Sequence, residues 1–333
     1  MNSMLTLKRF ISSGKAVSSF EQKGLKPVLD TLSECCAQIA DLVSAAAIDG
    51  MVGQTNQQNS RGDFQIPLDL AADALLVQRL IDTEGVAGVV SEERDSICLP
   101  EKLSPTAEYI VFIDGLDGSI QLDDAGVVGT VWGIYRLAEK GRVPTRSDLL
   151  QPGRNMVAAG MALYGSQTLK LFTTGDGLHL FALDRKQNQW VLLNERLSMG
   201  GSRSGIYSIN EGNAKRWKQS TLRFVRRIKN SLFPKYSLRY AGSLVADAFR
   251  VMRGGGFFGY PGDYLNPNGK LEYSIEGAPI AFMIEQAGGQ AITCSGTRLL
   301  DVCPTEMREK TSLLIGEPNL IEVYSREIAW DTW

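Results

Sequence analysis

Tyr109-Ile110-Val111-Phe112-Ile113-Asp114-Gly115-Leu116-Asp117-Gly118-Ser119 is the stretch on which the reading of this chain turns. Its first five residues are an unbroken apolar run of strand length, rich in β-branched and aromatic side chains, and read as a strand buried on both faces. The run stops at Asp114, and a tight glycine turn then carries two carboxylates three residues apart. Mg2+ demands oxygen ligands in near-octahedral geometry and is usually shared between carboxylates and a phosphate, so a strand end presenting two aspartates suits it. An ordinary Asx turn accounts for the same residues, because Asp-Gly pairs are common between strands. Alone, the motif does not decide between the two.

Two further acidic sites flank it. Val89-Val90-Ser91 reads as a short strand that ends in Glu92-Glu93, and Glu276 stands three residues ahead of Pro279, where a helix begins in an apolar context. A sheet could gather all of these at one rim. Taken singly, Glu92 and Glu93 fit a solvated acidic turn, and Glu276 fits a helix N-terminal charge favoured by the macrodipole.

Around these motifs the chain alternates strand and helix patterns. Leu25, Val28, Leu29, Leu32, Cys36, Ile39 and Val43 recur at three-to-four-residue spacing, which predicts an amphipathic helix over about 25–47. Gly50 to Asp69 is polar and reads as a long loop of lid type, after which Asp69 opens a helical pattern through Leu70, Leu75, Leu76 and Leu80. Met156–Leu163, Leu169–Thr173 and Leu178–Leu183 read as strands, and the polar stretch 185–204 as a domain junction. Ser243–Met252 and Pro279–Ala287 read as helices stopped by glycines. The expected fold class is layered α/β.

The 333 residues can hold one large or two ordinary domains, and 35 basic against 37 acidic residues leave a net charge of −2. No global field draws the chain to nucleic acid or anionic membrane, so neither is expected as a partner. No apolar stretch approaches the roughly 20 residues of a membrane span. A soluble intracellular protein is expected. Residues 1–20 hold Lys8, Arg9 and Lys15 with several serines and no acid, and read as a flexible tail or a transit remnant. Cys35, Cys36, Cys98, Cys294 and Cys303 show no paired spacing and are expected as buried free thiols. The one histidine, His179, lies far from every acidic motif, which argues against a histidine-phosphatase mechanism, and no Walker-type or cysteine-phosphatase loop is present.

From about Leu25 to Leu320 the sequence resembles the class 1 fructose-1,6-bisphosphatase family of the lithium-sensitive metal-dependent phosphatases. The matching segments include Gly53-Gln54-Thr55-Asn56, Ser91-Glu92-Glu93, Asp114 to Ser119, Gly133-Ile134-Tyr135-Arg136, Asn210-Glu211-Gly212, Arg239-Tyr240-Ala241-Gly242-Ser243, Pro267-Asn268-Gly269-Lys270 and Glu285-Gln286-Ala287-Gly288-Gly289. The resemblance implies an α/β/α/β/α sandwich of two similar-sized halves: 21–190, bearing the metal carboxylates, and 191–333, binding the sugar bisphosphate. It implies Mg2+-dependent hydrolysis of the 1-phosphate of fructose 1,6-bisphosphate, with Mn2+ or Zn2+ as alternative metals. A homotetramer or dimer is implied, placed in the cytoplasm or alternatively the plastid stroma.

By similarity, Glu92, Asp114, Asp117 and Glu276 bind the metal with the backbone carbonyl of Leu116. Glu93, Asp63 and Asp69 activate the attacking water and carry its proton. Gly118 and Ser119 contact substrate, and Asn210, Arg239, Tyr240, Tyr260 and Lys270 hold the phosphate that is not cleaved.

Several positions depart from the family pattern. Gly115 replaces a proline, Ile120 a small polar residue and Asn213 a phosphate-binding tyrosine. Tyr109 and Arg136 match the family's AMP site, but Glu108 replaces a lysine there and only Gln22-Lys23-Gly24 represents its phosphate-receiving segment. A carboxylate beside a phosphate repels it, so AMP inhibition is expected to be weak or absent. Sedoheptulose-1,7-bisphosphatase activity is the nearest rival. A catalytically weak homologue acting as a structural or regulatory subunit is the second, although the retained carboxylates argue against it.

Overall fold

Tyr109–Asp117 is the second strand of a seven-stranded sheet whose strands follow one another in chain order. The computed structural model describes residues 5–13, 24–53, 66–200, 205–230 and 236–331. The strands of this first sheet are β1 (Val86–Ser91), β2 (Tyr109–Asp117), β3 (Val128–Arg136), β4 (Met156–Tyr164), β5 (Thr168–Thr173), β6 (Leu178–Asp184) and β7 (Gln189–Leu197). β1 and β2 run parallel, and every later pair is antiparallel. β2 and β3 are buried along almost their whole length, which is why an unbroken apolar run, and not an alternating one, forms them.

Helices cover the first sheet on both faces. On one side lie α1 (Leu7–Ser12), α2 (Leu25–Ala45) and α3 (Pro67–Ile81); the one-turn α4 (Arg146–Leu149) follows β3. In α2, the apolar stripe from Leu25 through Ile39 is buried against the sheet and α3, as its spacing requires. Beyond β7 come β8 (Ile206–Ile209), α5 (Gln219–Asn230), β9 (Ser237–Leu238), α6 (Leu244–Gly254), β10 (Gly256–Tyr260), β11 (Leu271–Glu272) and α7 (Ala278–Gln286). The chain closes with β12 (Gln290–Ile292), β13 (Lys310–Thr311), β14 (Leu313–Gly316) and α8 (Pro318–Ile328).

The second sheet has the order β12-β14-β10-β8-β9, with β11 and β13 forming a separate pair. α6 and α7 pack between the two sheets, whereas α5 and α8 cover the outer face of the second. The result is the expected α/β/α/β/α sandwich. Its layers explain α7: Ala278 to Ile284 are all buried, because a helix between two sheets has no wet face. Fully burying Ile280, Met283 and Ile284 stabilises the fold by roughly 1.5–3 kcal/mol each.

Two readings of the sequence change, and the stretch 185–204 gains a strand. β2 does not end at Ile113; it continues through Asp117 across an irregularity in its pairing with β3. The polar stretch 185–204 contains β7, which is polar because it is an exposed edge strand, and the chain passes between the sheets after Leu197. Within 1–20, Leu7–Ser12 is helical and buries Leu7, Phe10 and Ile11, with Phe10 against Phe172, His179 and Phe181. Most of the long loop ahead of α3 lies outside the described residues. Among those described, no helix is long and apolar enough to cross a membrane.

Candidate active site

The two aspartates are presented by a β-bulge and not by a turn. Asp114 pairs with Val131 and Asp117 with Gly129, so Gly115 and Leu116 together oppose the single residue Thr130. Such an insertion bends the strand and re-aims its side chains. The Thr130 hydroxyl donates to the Gly115 carbonyl (2.9 Å) and also contacts the Tyr164 hydroxyl (2.8 Å), so the bulge is held from the neighbouring strands. Asp114 Oδ1 accepts the Leu116 N–H (3.0 Å) across it. Gly115 lets α3 approach closely: a Cβ there would lie 3.1 Å from the backbone nitrogen of Asp73. Gly118 follows with φ +74°, the left-handed region that a residue with a Cβ enters only at a cost.

Other elements bring the remaining acids to the bulge. Glu92 and Glu93 follow β1, where the Glu92 N–H donates to Ile113 of β2 (3.0 Å) and the Glu93 N–H to Ser91 Oγ (3.2 Å). Glu276 lies in a π-helical turn, Tyr273–Gly277, and its Oε2 accepts the Glu272 N–H (2.5 Å). Asp69 is in the first turn of α3 and hydrogen-bonds Ser119. Carboxylate oxygens of Asp114, Asp117 and Glu276 lie within 4.8 Å of one another.

Electrostatics describe the same cluster. Asp114 is 4% exposed and Glu276 8%. Burial, then the charges of Glu92, Asp117 and Glu276, holds the Asp114 carboxyl well above the usual carboxylate range. Burial and Glu92 do the same for Glu276. Asp117 is pushed up to about 7 by burial, against the opposing pull of the Val245 N–H. Asp69 rises to about 8 through burial and the charges of Glu93, Glu92 and Asp117, and its Oδ1 is buried with no hydrogen-bond partner among the described residues. So many carboxyls cannot all ionise side by side unless a cation joins them. An all-oxygen donor set with an orphaned oxygen beside it fits a hard divalent cation.

A polar pocket adjoins the cluster. Asn210, Tyr240, Tyr260 and Lys270 line it together with Asn213 and Asn266. The Tyr260 hydroxyl is pushed up to about 12, first by burial and then by Tyr240, Glu276 and Asp117, which places it between pocket and carboxylates. The structure brings these four sequence-predicted residues together. Arg239 does not line the pocket: it follows the edge strand β9, is exposed, and folds its guanidinium back onto the Leu238 carbonyl (2.8 Å). Asp63 lies outside the described residues. Residues that sequence reasoning missed hold the site from behind. Asp247 ties down the 241–242 backbone, and Arg308 touches both the Glu92 turn and Glu272.

The comparisons with known proteins agree on one family. The model described as fructose-1-6-bisphosphatase, N-terminal domain, matches residues 5–195, and that of the C-terminal domain matches 201–328. The chain belongs to the fructose-1,6-bisphosphatase family. It is 35% identical over 318 residues to the cytosolic fructose-1,6-bisphosphatase of Oryza coarctata, covering 94% of this chain and 90% of that protein. It is 34% identical over 324 residues to the cytosolic enzyme of Arabidopsis thaliana, covering 96% and 93%. The structure of Leishmania major fructose-1,6-bisphosphatase in holo form superposes with a TM-score of 0.90 at 30% identity, over 98% of this chain and 99% of that one. The family is one of phosphoric monoester hydrolases.

Other chemistry-bearing residues of this family member lie apart from the site. His179 is buried on β6, away from the carboxylate cluster, and contacts the Glu195 carbonyl through Nδ1. Cys35, Cys36 and Cys294 are buried and free; Cys98 is half-buried and Cys303 exposed, so burial holds for three of the five. At the N-terminus of α2, the buried Glu108 carboxylate pairs with Lys140 (2.8 Å) and Arg136 (3.6 Å) and would meet a Cβ on Gly24 at 2.8 Å. A cavity of about 1300 Å³ between α1, α2 and β7 is lined by none of the site residues.

Proposed function

We propose that this chain hydrolyses the 1-phosphate of fructose 1,6-bisphosphate to fructose 6-phosphate and inorganic phosphate, with Mg2+ as its cation. The observation that carries the reading is the adjacency of two unlike subsites across Tyr260: an over-charged carboxylate cluster and a polar pocket of Asn210, Tyr240, Tyr260 and Lys270, whose one acid, Asp263, is paired with Arg216 (3.3 Å). A sugar with a phosphate at each end would span them. Tyrosine hydroxyls, an amide and an ammonium would hold the phosphate that stays. Glu92, Asp114, Asp117 and Glu276, with the Leu116 carbonyl, would hold the cation. When bound, the cation supplies Lewis-acid compensation for the charge that develops on the transferring phosphoryl group.

Asp69 has a raised proton affinity and an unpartnered oxygen at the cluster, which suits a carboxyl that takes the proton of the attacking water, with Glu93 and Asp63 beside it. The water oxygen bonds to phosphorus, the bond from phosphorus to the sugar's C1 oxygen breaks, and that oxygen regains a proton. Gly118 and Ser119, at the left-handed end of the bulge, lie where they would contact the scissile phosphate. The cytosolic relatives support a cytoplasmic protein, with the plastid stroma as the alternative. A homotetramer or dimer is part of the same reading: Leu238, exposed on the edge strand β9, and Tyr240 just after it, at the pocket, form a surface that a second copy would cover.

The test is phosphate release from fructose 1,6-bisphosphate with and without Mg2+, beside sedoheptulose 1,7-bisphosphate and inositol 1-phosphate. Strong Mg2+-dependent release from the fructose substrate is expected. Preference for the seven-carbon substrate would reassign the sugar, and release from none would favour the weak-homologue reading.

A further inference from the structure

Arg308 joins the two halves of the carboxylate site, and no step of the proposed reaction uses it. Its side chain is 22% exposed. Nη1 donates to Glu272 Oε2 at 2.6 Å, and Nη2 faces the carbonyls of Ser91 (2.7 Å), Glu92 (2.9 Å) and Arg94. The carbonyls belong to the turn after β1 that carries Glu92 and Glu93, 214 to 217 residues earlier in the chain. Glu272 is almost wholly buried and also pairs with Lys310 (3.2 Å); its own backbone N–H holds Glu276 Oε2 at 2.5 Å.

One planar guanidinium therefore grips the backbone of one acidic segment and, through Glu272, the segment that bears the other. Such a fork satisfies a carboxylate and carbonyls in fixed relative directions, which a lysine ammonium does not. The positive charge also sits beside a cluster whose carboxyls repel one another. We propose that Arg308 is a positioning residue for the divalent-cation site, fixing the Glu92 turn against the Glu276 helix so that carboxylates from both halves of the chain converge on one cation. The inference rests on the carboxylate cluster being that cation's site.

Mn2+ binding to the full chain, read from the free-ion electron paramagnetic resonance signal, tests it without recourse to turnover. Arg308→Met is expected to weaken Mn2+ binding about 10–100-fold, the usual effect of losing a residue that orients metal ligands. Glu272→Met with Arg308→Met removes the buried partner as well, so no buried charge is left unpaired, the half-exposed Lys310 turning to solvent; it is expected to bind Mn2+ as weakly while melting near the wild-type temperature in the absence of metal. Arg308→Lys is expected to resemble Arg308→Met, and the half-saturating Mg2+ for hydrolysis is expected to rise more than the rate at saturating Mg2+ falls. Wild-type binding in the double variant, or wild-type binding in Arg308→Lys, would overturn the positioning role. Asp114→Asn separates the two claims. If it binds Mn2+ as the wild type does, or the wild type binds none, the cation site itself is wrong and the role of Arg308 falls with it; if only the Arg308 variants behave as wild type, the role of Arg308 falls alone.

Discussion

Asp117 Oδ2 accepts the backbone N–H of Val245 at 3.0 Å, so a carboxylate of the first sheet sits at the N-terminus of α6. The helix end favours the ionised carboxylate, whereas burial and Glu92 oppose it, and about 7 is the outcome. Asp117 thus has two jobs that different substitutions separate. Asp117→Asn keeps an oxygen for Val245 and removes the charge. Hydrolysis is expected to fall at least about 100-fold, equivalent to about 3 kcal/mol of transition-state stabilisation, with little change in melting temperature. Asp117→Ala also loses the contact at the helix start, at a further cost of about 1 kcal/mol. A fast Asn variant would rule out the charge as a requirement.

Thr130 is the residue that makes the bulge a fixed feature. Thr130→Val keeps the shape but strands the Gly115 carbonyl in a buried place and leaves the Tyr164 hydroxyl with Cys36 alone. Leaving such groups unsatisfied costs about 1–3 kcal/mol, which urea unfolding will read. Because the bulge aims both aspartates, the half-saturating Mg2+ is expected to rise about 10-fold, and Thr130→Ser to restore most of both. Equal Mg2+ dependence in Thr130→Val and wild type would mean the aspartates do not depend on this hydroxyl.

How far the molecule can be read from its sequence depends on how local each cause is. The strand at Tyr109 and the helix at Leu25 were legible because burial imposes its own period on the residues that form them. The bulge was not, because it exists only in register with Thr130 on β3, and β7 was hidden because an edge strand is polar. The acids at 92, 114, 117 and 276 were legible as chemistry and by family resemblance, but nothing local says that the chain brings them within reach of one another. Arg239 matches the family's motif, but the motif does not say that within a single chain its guanidinium rests on the Leu238 carbonyl outside the pocket. Asp247 and Arg308 left no local signal, since the groups they hold come from other segments, for Arg308 over 200 residues away.

Asp247 sets the pocket wall. Fully buried, it accepts from Ser208 Oγ (2.8 Å) and from the N–H groups of Ala241 and Gly242 (3.1 Å each), and it pairs with Arg250 (3.3 Å). These bonds fold the loop that brings Tyr240 beside Asn210. Asp247→Ala leaves all four groups without that partner and is expected to cost about 1–3 kcal/mol for each buried donor left unsatisfied. In Asp247→Asn, where an acceptor remains, the KM for the bisphosphate is expected to rise while the half-saturating Mg2+ stays put. A shift in Mg2+ dependence with unchanged KM would place Asp247 with the carboxylate cluster instead.

Glu108 bears on regulation. Its buried carboxylate already lies against the start of α2 and engages Arg136 and Lys140, two cations that would otherwise attract an incoming phosphate. AMP would meet a fixed negative charge in place of an attractive one. The wild-type rate is therefore expected to be insensitive to AMP, and Glu108→Gln to be the more sensitive of the two. Dose-dependent AMP inhibition of the wild type would contradict this.

Lys170 is a cation with no place in the proposed chemistry. The residue is 1% exposed, and its ammonium donates to Ser33 Oγ and lies 5.8–5.9 Å from the ring centroids of Trp132, Phe172 and Trp190. Burial lowers its pKa from 10.5 to about 8, with Cys36, Asp30 and Cys35 pulling the other way. Because the folded state releases this proton first, the unfolded chain binds more protons between about pH 8 and 10.5, and this site's contribution to stability rises with pH across that window. Below about pH 8 the full penalty is present, about 3 kcal/mol for a fall of this size, offset in part by attraction to the three rings. Lys170→Met removes the penalty. Its stability relative to wild type is expected to be most favourable near neutral pH and to lose up to about 3 kcal/mol by about pH 10.5, when both are unfolded in urea across the range. Buried Tyr164 pulls stability down at high pH in both proteins and cancels in the difference, whereas Cys35 and Cys36, whose thiolates Lys170 favours, titrate higher in the variant. A difference that does not change with pH would mean that the ring cage keeps the ammonium charged throughout.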